Sequence, residues 1–98
     1  MTYIVRLREE ADLDIADTAS WYERQREGLG QEFLDELLHS FDLIRENPLS
    51  FPVVHRNTHR AVMSKFPFAV FYRILENDLV VLSVMHGSRH PGKWKSRT

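Results

Sequence analysis

The apolar residues of the N-terminal half first alternate and then recur at helical spacing, which predicts a strand followed by a helix. Tyr3, Val5 and Leu7 form one alternating set, as in a strand with a single buried face. From Glu9 onward the apolar residues recur every three or four positions, and acidic residues occupy the other side. The expected core positions of this first helix are Ala11, Ile15, Ala19 and Tyr22.

A second helix is predicted after the glycines at positions 28 and 30. Gly28 and Gly30 bracket Leu29 and are expected to end the first helix and form the turn. Asn47–Pro48 ends the second helix, because the residue before a proline avoids helical geometry. Two helices joined by so short a turn are expected to pack as an antiparallel hairpin. The apolar stripe of the second helix comprises Phe33, Leu34, Leu37, Leu38, Phe41 and Ile44.

The C-terminal half has the pattern of strands separated by short loops. Residues 48–58 are rich in proline and small polar residues and are expected to form a loop. Pro67 disfavours a ladder position, and residues 76–78 are expected to turn a hairpin. Residues 87–98 are expected to form an irregular basic tail over the sheet. Strands are predicted at residues 60–64 (edge-like), 68–75 and 79–86 (central).

The order β-α-α-β-β-β predicts an α+β fold, with a helical hairpin packed on a small, mainly antiparallel sheet. A length of 98 residues with 43% hydrophobic residues predicts one globular domain over residues 1–98. There is no apolar stretch near the ~20 residues that a membrane helix needs, and no N-terminal apolar run typical of a secretion signal. With no cysteine, disulfides and thiol chemistry are excluded. These features fit a cytoplasmic protein. We expect no membrane partner and no cofactor.

The charge of the chain is strongly divided between its halves. Residues 1–50 contain five Lys/Arg and twelve Asp/Glu, a net charge of −7, while residues 51–98 contain eight and two, a net charge of +6. The basic half is therefore a candidate surface for an anionic partner, although acidic helices on one side of a sheet would give the same division.

The densest group of polar residues lies at and beyond the end of the most apolar strand. Cleavage of RNA without a metal needs a base, cations at the phosphorus and an acid. His86 would be the base, Arg60 and Arg89 the cations, and Tyr72 or His90 the acid. The alternative is a solvated basic rim, in which Tyr72 and Trp94 anchor the tail to the sheet. Candidates for binding a nucleic acid or another target are Lys65, His90, Lys93, Trp94 (by stacking on a base), Lys95 and Arg97.

Two further patterns predict no site. His55 and His59, and likewise His86 and His90, are four residues apart, but neither pair lies in a predicted helix, so no metal site is expected. The carboxylates at positions 12, 14, 17, 35 and 36 are expected to be the solvated faces of the two helices.

The whole chain resembles the RelE/ParE superfamily of type II toxin–antitoxin toxins, including plasmid-stabilisation toxins. The resemblance rests on ADLDIADTASWYERQREGLGQEF in the hairpin, the Asn-Pro break, Arg60 followed by FPFAVFYRI, and VLSVMHGSRHPGKWKSR at residues 81–97. It implies a small cytoplasmic growth inhibitor that is silenced by an antitoxin encoded beside it.

Within the superfamily, RelE-type members cut mRNA on the ribosome, whereas ParE-type members poison DNA gyrase. The sequence has a single Lys65 where the RelE pattern has paired lysines, and Trp94 in the region of the RelE tyrosine. The resemblance therefore favours a ParE-like gyrase poison that is not an enzyme. The alternatives are a RelE-like, metal-independent, ribosome-dependent mRNA endonuclease and a non-toxic antitoxin-binding module.

The partner implied by the resemblance is an antitoxin whose C-terminal segment folds on binding, with a toxin–antitoxin hetero-oligomer as the product. Such a segment is expected to cover apolar residues and to add a strand to the sheet edge. Its acidic residues are expected to meet the basic half of the chain. The expected contacts are Trp21, Tyr22, Leu29, Phe51, Arg60 and Arg89.

Overall fold

The first structural unit is an antiparallel helical hairpin. A computed structural model describes residues 3–87 and 91–98. Helix α1 spans Glu9–Gln25 and helix α2 spans Leu29–Glu46. Gly28 has a φ of 87°, in the left-handed region that favours glycine, and its N–H donates to the Glu23 carboxylate at 2.9 Å. The predicted hairpin is confirmed.

Gly30 has a different role from the turn predicted for it. It lies buried in the first turn of α2, and a Cβ added there would be 2.6 Å from the carbonyl oxygen of Ala19 on α1. Its N–H donates to the Glu23 carboxylate at 3.0 Å. Gly30 therefore allows the two helix backbones to approach closely, which no larger residue would.

The second unit is a five-stranded mixed sheet in the order β1-β5-β4-β3-β2. Strand β1 is parallel to β5, and every other neighbouring pair is antiparallel. The predicted fold class, a helical hairpin on a mainly antiparallel sheet, is confirmed. Strand β5 is an interior strand, although the middle position belongs to β4. The strands are β1 Ile4–Leu7, β2 Val53–His55, β3 Thr58–Val62, β4 Phe68–Leu75 and β5 Asp78–His86.

Two predictions of local structure in the C-terminal half are wrong. The predicted loop at residues 48–58 contains β2, which makes β3 an interior strand rather than an edge. Arg56 and Asn57 both adopt positive φ, which closes a two-residue hairpin turn between β2 and β3. The predicted irregular tail contains a short helix, α3, over Pro91–Ser96; proline favours the first position of a helix.

The main core lies between the helical hairpin and one face of the sheet, which we call the helix face. Its buried residues include Phe33, Leu37, Val70 and Val81. Leu7 and Leu38 were expected in this core but are 41% and 59% exposed. Leu7 ends an edge strand, and Leu38 lies about 100° around α2 from Leu37, outside the buried arc.

A smaller core lies on the opposite face of the sheet, which we call the far face. Trp94 of α3 is 6% exposed and stacks on Phe71 of β4, with ring centroids 4.5 Å apart and planes at 16°. Ala69 and Met85 complete this cluster. In the described residues, no helix has the length and apolarity that crossing a bilayer requires.

Candidate functional site

Tyr72 does not fit the role of a surface acid. Its side chain is fully buried on the helix face, where its hydroxyl donates to the carbonyl of Pro48 at 2.6 Å. Its ring stacks on His59 at a centroid distance of 5.0 Å. Burial raises the pKa of the Tyr72 hydroxyl, which makes proton loss harder. Tyr72 is a structural residue that ties the loop after α2 to the sheet.

Arg60 lies on β3 opposite Phe71, so its side chain is on the far face while that of Tyr72 is on the helix face. Its Nε is buried, and no acceptor contacts it among the described residues. The sheet therefore separates the proposed cation Arg60 from the proposed acid Tyr72.

His86 ends β5 and is half-buried, with its ring 5.9 Å from that of Phe68. The two other members of the proposed catalytic set, Arg89 and His90, lie outside the described residues. The described part of the chain thus does not bring the predicted base, cation and acid to one point.

The predicted target-binding residues include both buried and exposed side chains. Trp94 is buried against Phe71, so its ring is not a surface on which a base can stack. Lys95 is exposed, with its Nζ 5.7 Å from the Trp94 ring centroid. Lys65 is exposed and lines a surface depression with Leu29 and Phe66, which does not include residues of α3.

Arg97 is not a free cation. Its guanidinium forms a two-pronged ion pair with Asp14 of α1, at 2.5 and 3.2 Å, and also contacts the Ser83 hydroxyl at 3.3 Å. Asp14 additionally accepts the N–H of Val84 at 3.0 Å. This contact, which we call the Asp14–Arg97 latch, fastens α3 to the helix layer and to the edge of β5. Nothing in the local sequence pattern indicated it.

A groove of about 460 Å³ lies next to the latch, between α1 and β5. We call it the α1–β5 groove. Trp21 on its wall is 51% exposed and packs edge-on against Tyr22 at 5.1 Å. Strand β1 pairs only with Asp78–Val81, so no strand of the described chain covers the outer edge of β5 beyond this segment. Besides Trp21 and Tyr22, the groove is lined by Asp14, Asp17, Thr18, Pro67, Phe68, Val84, Met85, His86 and Lys93.

Of the predicted antitoxin contacts that the structure describes, Trp21 and Tyr22 line this groove. Tyr22 is half-buried and also stacks on Phe33 at 5.6 Å; burial raises the pKa of its hydroxyl. Leu29 lies at the start of α2 near Lys65, and Phe51 packs against Tyr72 at 6.5 Å. The four apolar candidates therefore do not form one patch.

Among the described residues, no group of three or more His, Asp or Glu side chains could hold a metal ion.

Comparison with known proteins identifies the family. Residues 5–91 match the family model described as "ParE toxin of type II toxin-antitoxin system, parDE". No curated protein matches the chain. A chain in the structure of a chromosomal ParDE toxin–antitoxin system from P. aeruginosa shares the fold, with a TM-score of 0.77, 9% identity, and coverage of 87% of this chain and 96% of that one.

A chain in the toxin–antitoxin complex RelBE2 from Mycobacterium tuberculosis also shares the fold. Its TM-score is 0.62 at 18% identity, with coverage of 88% of this chain and 99% of that one. At such identities the two structures establish the fold alone. Because the family model spans most of the sequence, the chain belongs to the ParE toxin family of type II toxin–antitoxin systems.

Proposed function

We propose that this protein is a cytoplasmic toxin that stops growth by poisoning DNA gyrase and is silenced by a cognate antitoxin. The observation that carries the gyrase assignment is the separation of Arg60 and Tyr72 by the sheet. A nuclease must place an acid and a cation at one phosphate. A gyrase poison acts through contact with the enzyme and needs no such assembly.

The test distinguishes gyrase poisoning from mRNA cleavage in cells in which the toxin is induced alone. Growth should stop, and co-expression of the neighbouring open reading frame should restore it. His86→Ala should remain toxic, as should the control His39→Ala, which changes an exposed histidine on α2. Primer extension should find intact cellular mRNA.

Two outcomes would redirect the assignment. Codon-phased cuts in mRNA that disappear in His86→Ala or Arg89→Ala would establish the RelE-like endonuclease instead. Normal growth with verified folded protein would leave the non-toxic antitoxin-binding module.

The α1–β5 groove is the proposed seat of the antitoxin, in a hetero-oligomer of toxin and antitoxin. It offers exposed apolar surface at Trp21 beside an edge of β5 that no described strand covers. An extended peptide would bury an apolar side chain in the groove. Because Asp14 already accepts the Val84 N–H on that edge, the peptide would gain a main-chain hydrogen bond there only by displacing this carboxylate. Lys93 and His86 border the groove and would meet acidic residues of the peptide.

Trp21→Glu tests this placement, because the side chain is half exposed and its replacement leaves the core intact. The affinity for the antitoxin should fall at least tenfold. Leu13→Glu is the matched control, since Leu13 is 58% exposed on the same helix but does not line the groove. A complex in which the antitoxin touches only the acidic outer surface of the helices would contradict the proposal.

A further inference from the structure

The α1–β5 groove contains two opposite charges that do not neutralise each other. Asp17 belongs to its α1 wall, and Lys93 belongs to α3. Both residues are exposed, and the ion pairs of the described part of the chain include neither of them. Asp14, the other carboxylate of the groove, is already neutralised by Arg97. The groove therefore offers one negative and one positive charge to a ligand.

The negative charge lies beside an aromatic ring. Trp21 follows Asp17 by four positions on α1, so their Cβ atoms are about 5–6 Å apart on the same face of the helix. The Trp21 side chain is 51% exposed, although tryptophan is highly buried on average. Its contact with Tyr22 is edge-on, at a ring-centroid distance of 5.1 Å. The α1 wall thus presents a carboxylate and an accessible indole side by side.

A carboxylate next to an exposed indole is suited to the side chain of an arginine. The planar guanidinium stacks on aromatic rings and donates two parallel hydrogen bonds to a carboxylate. The electron-rich face of tryptophan also attracts a cation. An apolar side chain in the same place would bury the charge of Asp17 without a partner, which costs free energy. The α1 wall therefore favours an arginine over a leucine or a phenylalanine.

We propose that the α1–β5 groove recognises an antitoxin segment by its charge order, with an arginine between Asp17 and Trp21 and an acidic residue at Lys93. The inference rests on the proposed function and specifies the chemistry of the partner at that site. The volume of about 460 Å³ has room for several side chains, and Phe68 in its lining would contact an apolar one.

This arrangement gives the segment a direction. A segment bound in the reverse direction would bring its arginine to Lys93 and its carboxylate to Asp17. Both contacts would then join like charges, which disfavours the reversed complex. Asp17 and Lys93 therefore determine specificity, because they also discriminate against antitoxins in which the charge order differs.

Charge reversal on the toxin is the first part of the test, with the affinity for the product of the neighbouring open reading frame measured by calorimetry. Asp17→Lys and Lys93→Glu should each weaken binding roughly tenfold or more, because each sets like charges against each other. Asp17→Asn, which removes the charge and keeps the shape, should have a smaller effect in the same direction. Asp12→Lys is the matched control, since Asp12 is exposed on the same helix but does not line the groove. Circular dichroism melting verifies that every variant is folded.

Charge reversal on the antitoxin is the second part. Each arginine of the antitoxin is replaced in turn by glutamate and is tested against the wild-type toxin and Asp17→Lys. One replacement should weaken binding to the wild type and should restore binding to Asp17→Lys by roughly tenfold or more, because opposite charges meet again. Replacement of the same arginine by lysine should give intermediate affinity for the wild type, since the charge remains without the planar fork.

Three results would overturn the proposal. They are unchanged affinity in Asp17→Lys, unchanged affinity in Lys93→Glu, and the absence of any arginine replacement that restores binding to Asp17→Lys. If Trp21→Glu still weakens binding in that case, the groove remains the seat of the antitoxin and only the charge order is wrong. If all three toxin variants, Trp21→Glu included, bind as the wild type does, the seat itself is wrong.

Discussion

Removal of the Asp14 carboxylate should weaken the attachment of the last helix to the rest of the molecule. Asp14 and Arg97 are 83 positions apart in sequence, and their side chains are only 15% and 20% exposed. In Asp14→Ala, the Arg97 guanidinium loses both carboxylate contacts and the Val84 N–H loses its acceptor. The variant therefore leaves the Val84 N–H and the Arg97 Nη2 without their described acceptor in a partly buried place, while Arg97 Nη1 keeps its contacts with the Ser83 hydroxyl and the Leu82 carbonyl.

The size of the effect follows from the burial. Loss of one partner of a fully buried ion pair costs 3–5 kcal/mol in general, and water reaches part of this pair, so we expect about 2–3 kcal/mol for Asp14→Ala. In a protein of this size that lowers the melting temperature by roughly 10–20 °C. Arg97→Ala should cost about 1–2 kcal/mol, because Asp14 keeps its bond to Val84. The double variant should cost at least about 1 kcal/mol less than the sum.

Urea unfolding in a Trp21→Phe background measures these differences, because Trp94 is then the sole tryptophan and reports on α3. Its emission should shift to longer wavelength in Asp14→Ala. Asp12→Ala is the control, since Asp12 is exposed on the same helix. A cost of less than about 0.5 kcal/mol for Asp14→Ala, or strict additivity of the two substitutions, would refute the latch.

Three further predictions concern the core. Gly30→Ala should destabilise the fold by about 1–3 kcal/mol, because the added Cβ would meet the Ala19 carbonyl and the backbone would have to shift. Chemical unfolding measures this loss, and an unchanged unfolding midpoint would refute the close contact between the helices. Tyr72→Phe should cost about 1–3 kcal/mol, because it leaves the Pro48 carbonyl buried without its donor. Burial raises the folded-state pKa of the Tyr72 and Tyr22 hydroxyls, so stability should hold below the ordinary tyrosine pKa of about 10 and fall as pH rises above it. Alkaline unfolding should be less steep in Tyr72→Phe, and an identical pH profile would contradict this cause.

The parts of the fold that were predictable are those whose signals are local. The hairpin helices have strong apolar periodicity, and Asn47–Pro48 marks the end of α2 with backbone sterics alone. Strand β2 is not predictable from the local pattern, because its turn places Arg56 and Asn57 at positive φ and lacks the glycine that usually indicates such a turn. Leu38 was misassigned because a stripe defined by spacing does not fix where the buried arc ends.

The candidate site was harder to predict because it depends on which face of the sheet each side chain occupies. The alternation along β3 and β4 separates Arg60 from Tyr72, and neither residue type indicates its face by itself. Trp94 lies between two lysines in the sequence, yet the helix that contains it turns the ring onto Phe71. The partners in the Asp14–Arg97 latch come from opposite ends of the chain, and no local pattern joins them.

A gyrase cleavage assay with the purified toxin, supercoiled plasmid and ATP decides between a gyrase poison and a ribonuclease. Denaturation followed by proteolysis reveals covalent gyrase–DNA breaks as linear plasmid. We expect linear DNA to accumulate with the wild type and equally with His86→Ala, and the antitoxin to suppress it. Absence of breaks from toxin that arrests growth, together with cuts in mRNA that need His86, would contradict it.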